Sequence, residues 1–175
     1  MKIIVSGSYN ASMTSEGRDI PAVGQTLIGD NFFVSAGGKG SNQAIAARFQ
    51  DGDVMFIGKL GNDIYAEDAL DMYKTVGLYG ETIYRDDSVH TGIALIFVNE
   101  RGDNSIMVCP GANLRLTADE ITAAVLREED VFIAGFQLET DIKETCEAIR
   151  RLHAAGIRTL CVAGSKTGGC RSPST

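Results

Sequence analysis

The chain lacks the residue arrangements that hold metals. Its four cysteines, Cys109, Cys146, Cys161 and Cys170, include no C-x-x-C pair, and only two histidines accompany them, so no zinc site is expected. Reduced cysteines that serve packing are the expectation for a cytosolic protein. Long apolar runs are missing too. The longest, TGIALIFV, VFIAG and LCVAG, are strand-sized and fall well short of the roughly 20 residues that cross a bilayer. The opening MKIIVSGSYN has one lysine and three apolar residues before a serine. That is too little for a secretory signal, and the cytoplasm is the expected compartment. No basic run stands out, and a net charge of −7 argues against a general affinity for nucleic acid or anionic lipid. An acidic protein can still bind an anion locally, through a glycine loop and a helix end.

What is present is ordinary globular material. At 175 residues, 44% hydrophobic and 22% charged, the chain is long enough for one domain with a real core and too apolar for disorder. KIIVSG (2–7) reads as a buried strand and NFFV (31–34) as a second extended piece ending at a glycine loop. Asn42 to Phe49 turns helical, with alanines at 44, 46 and 47 and with Ile45 and Phe49 four apart. VMFIG (54–58) is a further strand. A helix follows, with Asp63 as its N-cap and Gly77 as its stop. TGIALIFV, NERGDN and SIMVC form strand, polar turn and strand, a β-hairpin. Thr117 opens a helix with a capping box to Glu120, VFIAG (131–135) is a strand, DIKETCEAIRRLHAAG is a helix ending at Gly156, and RTLCV (158–162) is a last strand. Strands alternating with helices predict an α/β fold with a parallel sheet covered by helices, and some β-rich pieces outside it.

The stretch SAGGKGSNQAIAAR (35–48) sets one lysine among three glycines before the helix. It is not a Walker loop, which needs G-x-x-x-x-G-K-[ST]: Gly38-Lys39 is followed by glycine, and Phe33 occupies the first glycine's place. GSKTGG near the end fails as well, because Ser165 separates Gly164 from Lys166. A dinucleotide fingerprint fails at Gln43, where the third glycine should stand. A glycine turn at a helix N-terminus remains, with two readings. In one, backbone N–H groups, Lys39 and Asn42 face a polyhydroxyl ligand; in the other, the glycines only permit close packing.

Beyond the loop GGKGSNQA, five further segments occur in order: GSYNA, FIGKLGNDIYAE, HTGIALIFVNERGDNSI, PGAN (110–113) and FQLE (136–139). Together they resemble the ribokinase-like, or PfkB, carbohydrate kinases over residues 2 to 162. The resemblance implies an α/β domain with a small β-sheet lid, here from about 11–36 and 88–110, that closes over a sugar. It implies transfer of the γ-phosphoryl group of ATP, with Mg2+, to a sugar hydroxyl, and pairing of lid sheets in a homodimer. Asn10, Ser12, Gly38, Lys39, Gly40, Asn42 and Glu139 would then bind the sugar. Ser12 stands where ribokinases usually carry an acid, which leaves the sugar open. The family's G-A-G-D signature, which holds the catalytic aspartate, does not occur. The expectation is therefore the N-terminal part of a kinase with its C-terminal half missing, without catalytic residues and inactive alone. Residues 163–175 (AGSKTGGCRSPST) read as a tail foreign to the family, from a frameshift or premature end, and the RTLCV strand is expected to leave an open sheet edge. The alternatives are a non-enzymatic sugar-binding or dimerising fragment, a remnant, and a nucleoside kinase of the same superfamily.

Overall fold

A computed structural model describes residues 1–78 and 80–162; the expected tail lies outside the described residues. In chain order the elements are β1 (Lys2–Ser6), β2 (Asn10–Gly17), β3 (Asn31–Gly37), α1 (Lys39–Arg48), β4 (Val54–Gly61), α2 (Ile64–Thr75), β5 (Ile83–Asp86), β6 (Ile93–Asn99), β7 (Asn104–Cys109), α3 (Ala118–Leu126), β8 (Val131–Gln137), α4 (Ile142–Ala154) and β9 (Thr159–Val162). A short 3-10 helix, Gly111–Arg115, precedes α3.

Two sheets result. The larger is parallel throughout, in the order β5-β4-β1-β8-β9. Its inner strands β1 and β4 are packed on both faces, which is why they read as nearly continuous apolar runs, whereas the edge strand β9 is largely exposed. Ile4, Ile57, Ala134 and Phe136 turn to one face and pack with Ile121 and Val125 of α3 and Ala148 and Leu152 of α4. Val5, Phe56 and Leu60 turn to the other and pack with Ala44 of α1 and Ala66, Ala69 and Tyr73 of α2. The smaller sheet is mixed, β3-β2-β6-β7, with β2 parallel to β6 and the outer pairs antiparallel.

Local signals explain the helix ends. Asp63 caps α2, accepting from the Ala66 N–H at 3.0 Å. Thr117 and Glu120 form the expected capping box, and Asp141 caps α4 through the Lys143 and Glu144 N–H groups. One boundary differs from the sequence reading: α1 begins at Lys39, not at Asn42, with Gly38 as its cap. The lysine is thus the first residue of the helix, and the turn before it is tighter than composition suggests. Cys109 and Cys161 are free thiols, whereas Cys146 is disulfide-bonded, a correction to the expectation of reduced cysteines.

Candidate sugar site

The parallel sheet changes direction at β1, whose neighbours β4 and β8 lead the chain to opposite sides. Beyond the carboxyl ends of strands at such a switch point an open α/β sheet leaves a crevice. Three segments meet there: Gly7–Asn10 after β1, Leu138–Thr140 after β8, and the start of α1. The glycine loop is pressed onto the first of them. A side chain at Gly40 would meet Gly7 Cα at 2.6 Å and Ser8 N at 2.7 Å, and one at Gly38 would meet Ser8 O and Tyr9 Cα at 2.6 Å. Gly38 also has φ 92°, which favours glycine. The Ser41 N–H donates to Ser8 O at 3.0 Å. These glycines therefore have a packing reason to be glycine, whatever the ligand.

The lysine beside them reaches across the crevice. Lys39 Nζ pairs with Glu139 Oε1, with the side chains 57% and 33% exposed. Such a pair is worth about 0–1 kcal/mol, so ligand hydrogen bonds can replace it at small cost. Beneath Glu139, the buried Ser8 Oγ approaches Gln137 Oε1 at 3.1 Å and Glu139 Oε2 at 3.4 Å. A cavity of about 250 Å³ opens in front, lined by Asn10, Val108, Pro110, Asn113, Leu114, Glu139 and Thr140. Mostly apolar walls with a few polar groups are what small-molecule sites have. Burial, then Asp68 and Asp63, push the neighbouring Tyr9 phenol up to about 12, so it stays neutral at physiological pH. Among the described residues no group of three or more His, Cys, Asp or Glu side chains could hold a metal ion.

A family model for pfkB family carbohydrate kinases matches residues 2–162. The chain belongs to that family. Among relatives of this pfkB-family chain, the ribokinase of Mus musculus is 32% identical over 160 residues, covering 90% of this chain and 49% of its own. The deoxyribokinase of Salmonella typhi is 31% identical over 160 residues, covering 91% of this chain and 52% of its own. The structure of ribokinase from Giardia lamblia superposes with a TM-score of 0.86 at 30% identity, covering 95% of this chain and 51% of that one. The chain spans about half the length of the curated relatives it matches.

The kinase-family motifs place the expected site residues unequally. Asn10 and Glu139 line one cavity, and Lys39 reaches it through Glu139. Ser12 lies two residues along β2 from Asn10, on the same sheet face, in a row with Ala94 and Val108. Gly38 and Gly40 form the floor under the Gly7–Asn10 segment. Asn42 is exposed within α1, and its described bond is from its backbone N–H to Gly38 O. Residue-by-residue reading missed Asn113, Ser8 and Gln137, which are buried: Asn113 bonds the Asn10 amide, and Ser8 Oγ lies against Gln137 and Glu139. The GSYNA, PGAN and FQLE segments, singled out by family resemblance, contain one of them each, but residue by residue none was assigned a role.

Proposed function

We propose that this chain forms the sugar-binding and lid portion of an ATP-dependent carbohydrate kinase. The carrying observation is that Asn10 and Glu139, 129 positions apart in sequence, line a single cavity of about 250 Å³ that the Lys39–Glu139 pair borders. Glu139 accepts from a sugar hydroxyl, Lys39 donates to a sugar oxygen, and Asn10 adds a neutral contact from the start of β2. Ser12 offers a hydroxyl on the same face, Gly38 and Gly40 bring α1 close enough for Lys39 to reach, and Asn42 lies one turn along the helix. The segments at about 11–36 and 88–110, which carry the small sheet, act as the lid and exclude water on closing. A second copy docks through the outer face of that sheet.

Ser12 and its neighbours Ala94 and Val108 present no charge to the ligand. That favours a second reading of the substrate, a deoxysugar or nucleoside in place of ribose. ATP and Mg2+ belong to the proposed whole kinase. No G-A-G-D occurs in the sequence, so no phosphoryl-transfer step is assigned to these residues, and the chain alone is proposed to bind without turnover, in the cytoplasm.

Calorimetry with ribose, 2-deoxyribose, fructose and nucleosides tests the proposal. One of these should bind, and Glu139→Gln should weaken it about tenfold, the loss of a hydrogen bond to a charged group. Absence of binding by every compound would reject the sugar-site reading and favour a remnant or a dimerising fragment.

A further inference from the structure

We infer that Asn113 is a positioning residue that fixes which end of the Asn10 amide faces the sugar cavity. The orientation follows from donor and acceptor bookkeeping alone. The Tyr9 backbone N–H can only donate, and it donates to the Asn113 side chain at 3.0 Å. The atom receiving it must be the Asn113 carbonyl oxygen. The Asn113 NH2 then lies 2.8 Å from Tyr9 O, an acceptor, and 3.0 Å from the Asn10 side chain. Facing an NH2, Asn10 must present its own carbonyl oxygen. Its NH2 is left over. No group among the described residues accepts from it, and Asn10 lines the cavity.

The surroundings keep this arrangement in place. Asn113 is 1% exposed and Asn10 4%, and Asn113 is held in the Gly111–Arg115 3-10 helix, whose Ala112 N–H donates to His90 O at 2.9 Å. Gly92 lies against both amides: any side chain there would collide with Asn113 Nδ2 and Asn10 Oδ1. Flipping Asn10 would oppose two NH2 groups in a buried spot, which is costly. The cavity therefore meets a fixed donor at Asn10, complementary to a ligand oxygen that accepts, and a fixed acceptor at Glu139.

The inference rests on the sugar-site reading for its ligand, though not for the amide orientation, and the test separates the two. Asn10→Asp keeps an oxygen toward Asn113 and replaces the NH2 with another oxygen. It should melt as the parent does and bind the sugar identified by calorimetry about tenfold more weakly. Asn113→Ala should also weaken binding about tenfold, but cause no further loss in an Asn10→Ala background. Equal losses in both backgrounds would overturn the inference, because Asn113 would then act without Asn10. The orientation is read without sugar from side-chain amide exchange in the 15N-labelled full chain. The Asn113 NH2 should be protected and the Asn10 NH2, assigned by its disappearance in Asn10→Asp, should exchange faster. The reverse order overturns the inference even if sugar binds. If no sugar binds and the order is as stated, only the function proposed above fails.

Discussion

Asp63 caps α2 and also holds the segment that leads into the small sheet. Its Oδ1 accepts from Ala66 N at 3.0 Å and from Thr91 Oγ1 at 2.7 Å, and its Oδ2 accepts from Thr91 N at 2.8 Å. Thr91 Oγ1 in turn accepts from Gly61 N at 2.9 Å. Burial raises the Asp63 pKa, but hydrogen bonds from Thr91, Ala66 and Tyr65 outweigh it and hold the carboxyl below its ordinary value. A depressed carboxylate contributes stability above the unfolded value, near pH 4 for aspartate, and loses it as pH falls through the folded value. Asp63→Ala should cost about 1–2 kcal/mol at neutral pH, the usual loss of a helix cap. The parent's advantage over the variant, measured by urea melts, should shrink as pH drops below about 4. An advantage that stays constant down to the acid limit would contradict the assigned role. The cap itself was readable from sequence, since Asp before an amphipathic run signals a helix start. Its hold on Thr91, 28 residues away, was not, because nothing local marks it.

At the scale of elements, the small sheet has two apolar faces. Phe32, Val34, Leu95, Phe97 and Met107 project from one, at 63%, 46%, 36%, 40% and 66% exposure. The other carries Asn10, Ser12 and Val108, of which Asn10 and Val108 line the cavity. Five exposed large apolar side chains on one face are more than scattered surface residues, and they are the ground for the proposed docking of a second copy. The chain should sediment as a dimer at micromolar concentration, and Phe32→Lys with Met107→Lys should shift it to monomer. Sugar affinity measured on that double variant should stay within about twofold, because the substitutions lie on the far face. A parent that sediments as a monomer would remove the docking proposal. Periodicity revealed β6 and β7 as a hairpin, but β2 has the run NASMTSEG, whose small polar residues carry no strand signal. Only family likeness hinted at it. β5, four residues long, escaped entirely because it depends on its partner β4.

Taken as a whole, the chain was legible in class and less so in its site. Apolar runs alternating with capped helices gave the α/β architecture, since strands buried on both faces need helices above and below. The cavity was harder, since the positions that build it come from the ends of β1 and β8, the start of α1 and the PGAN turn. The family motifs pointed to the proposed contact residues, and only coordinates revealed how buried polar groups hold them. The proposed division of labour predicts no catalysis from this chain alone. Coupled ADP release with ATP, Mg2+ and each sugar should stay at background; turnover that scales with protein concentration would refute it.

The central strand of the five described parallel strands is the first of them in chain order. Lys2 to Ser6 leaves the ribosome well before its neighbour on one side, Val131 to Gln137, which is synthesised more than a hundred residues later. Until then β1 has one flank open and Asn10 has no Glu139 opposite it. Completion of this architecture thus depends on a late pairing between distant parts of the chain, a topology that folds slowly and leaves sticky edges bare in the meantime. A nascent chain stalled before residue 131 would lack the Glu139 and Thr140 wall of the candidate cavity and would be a natural client for chaperones.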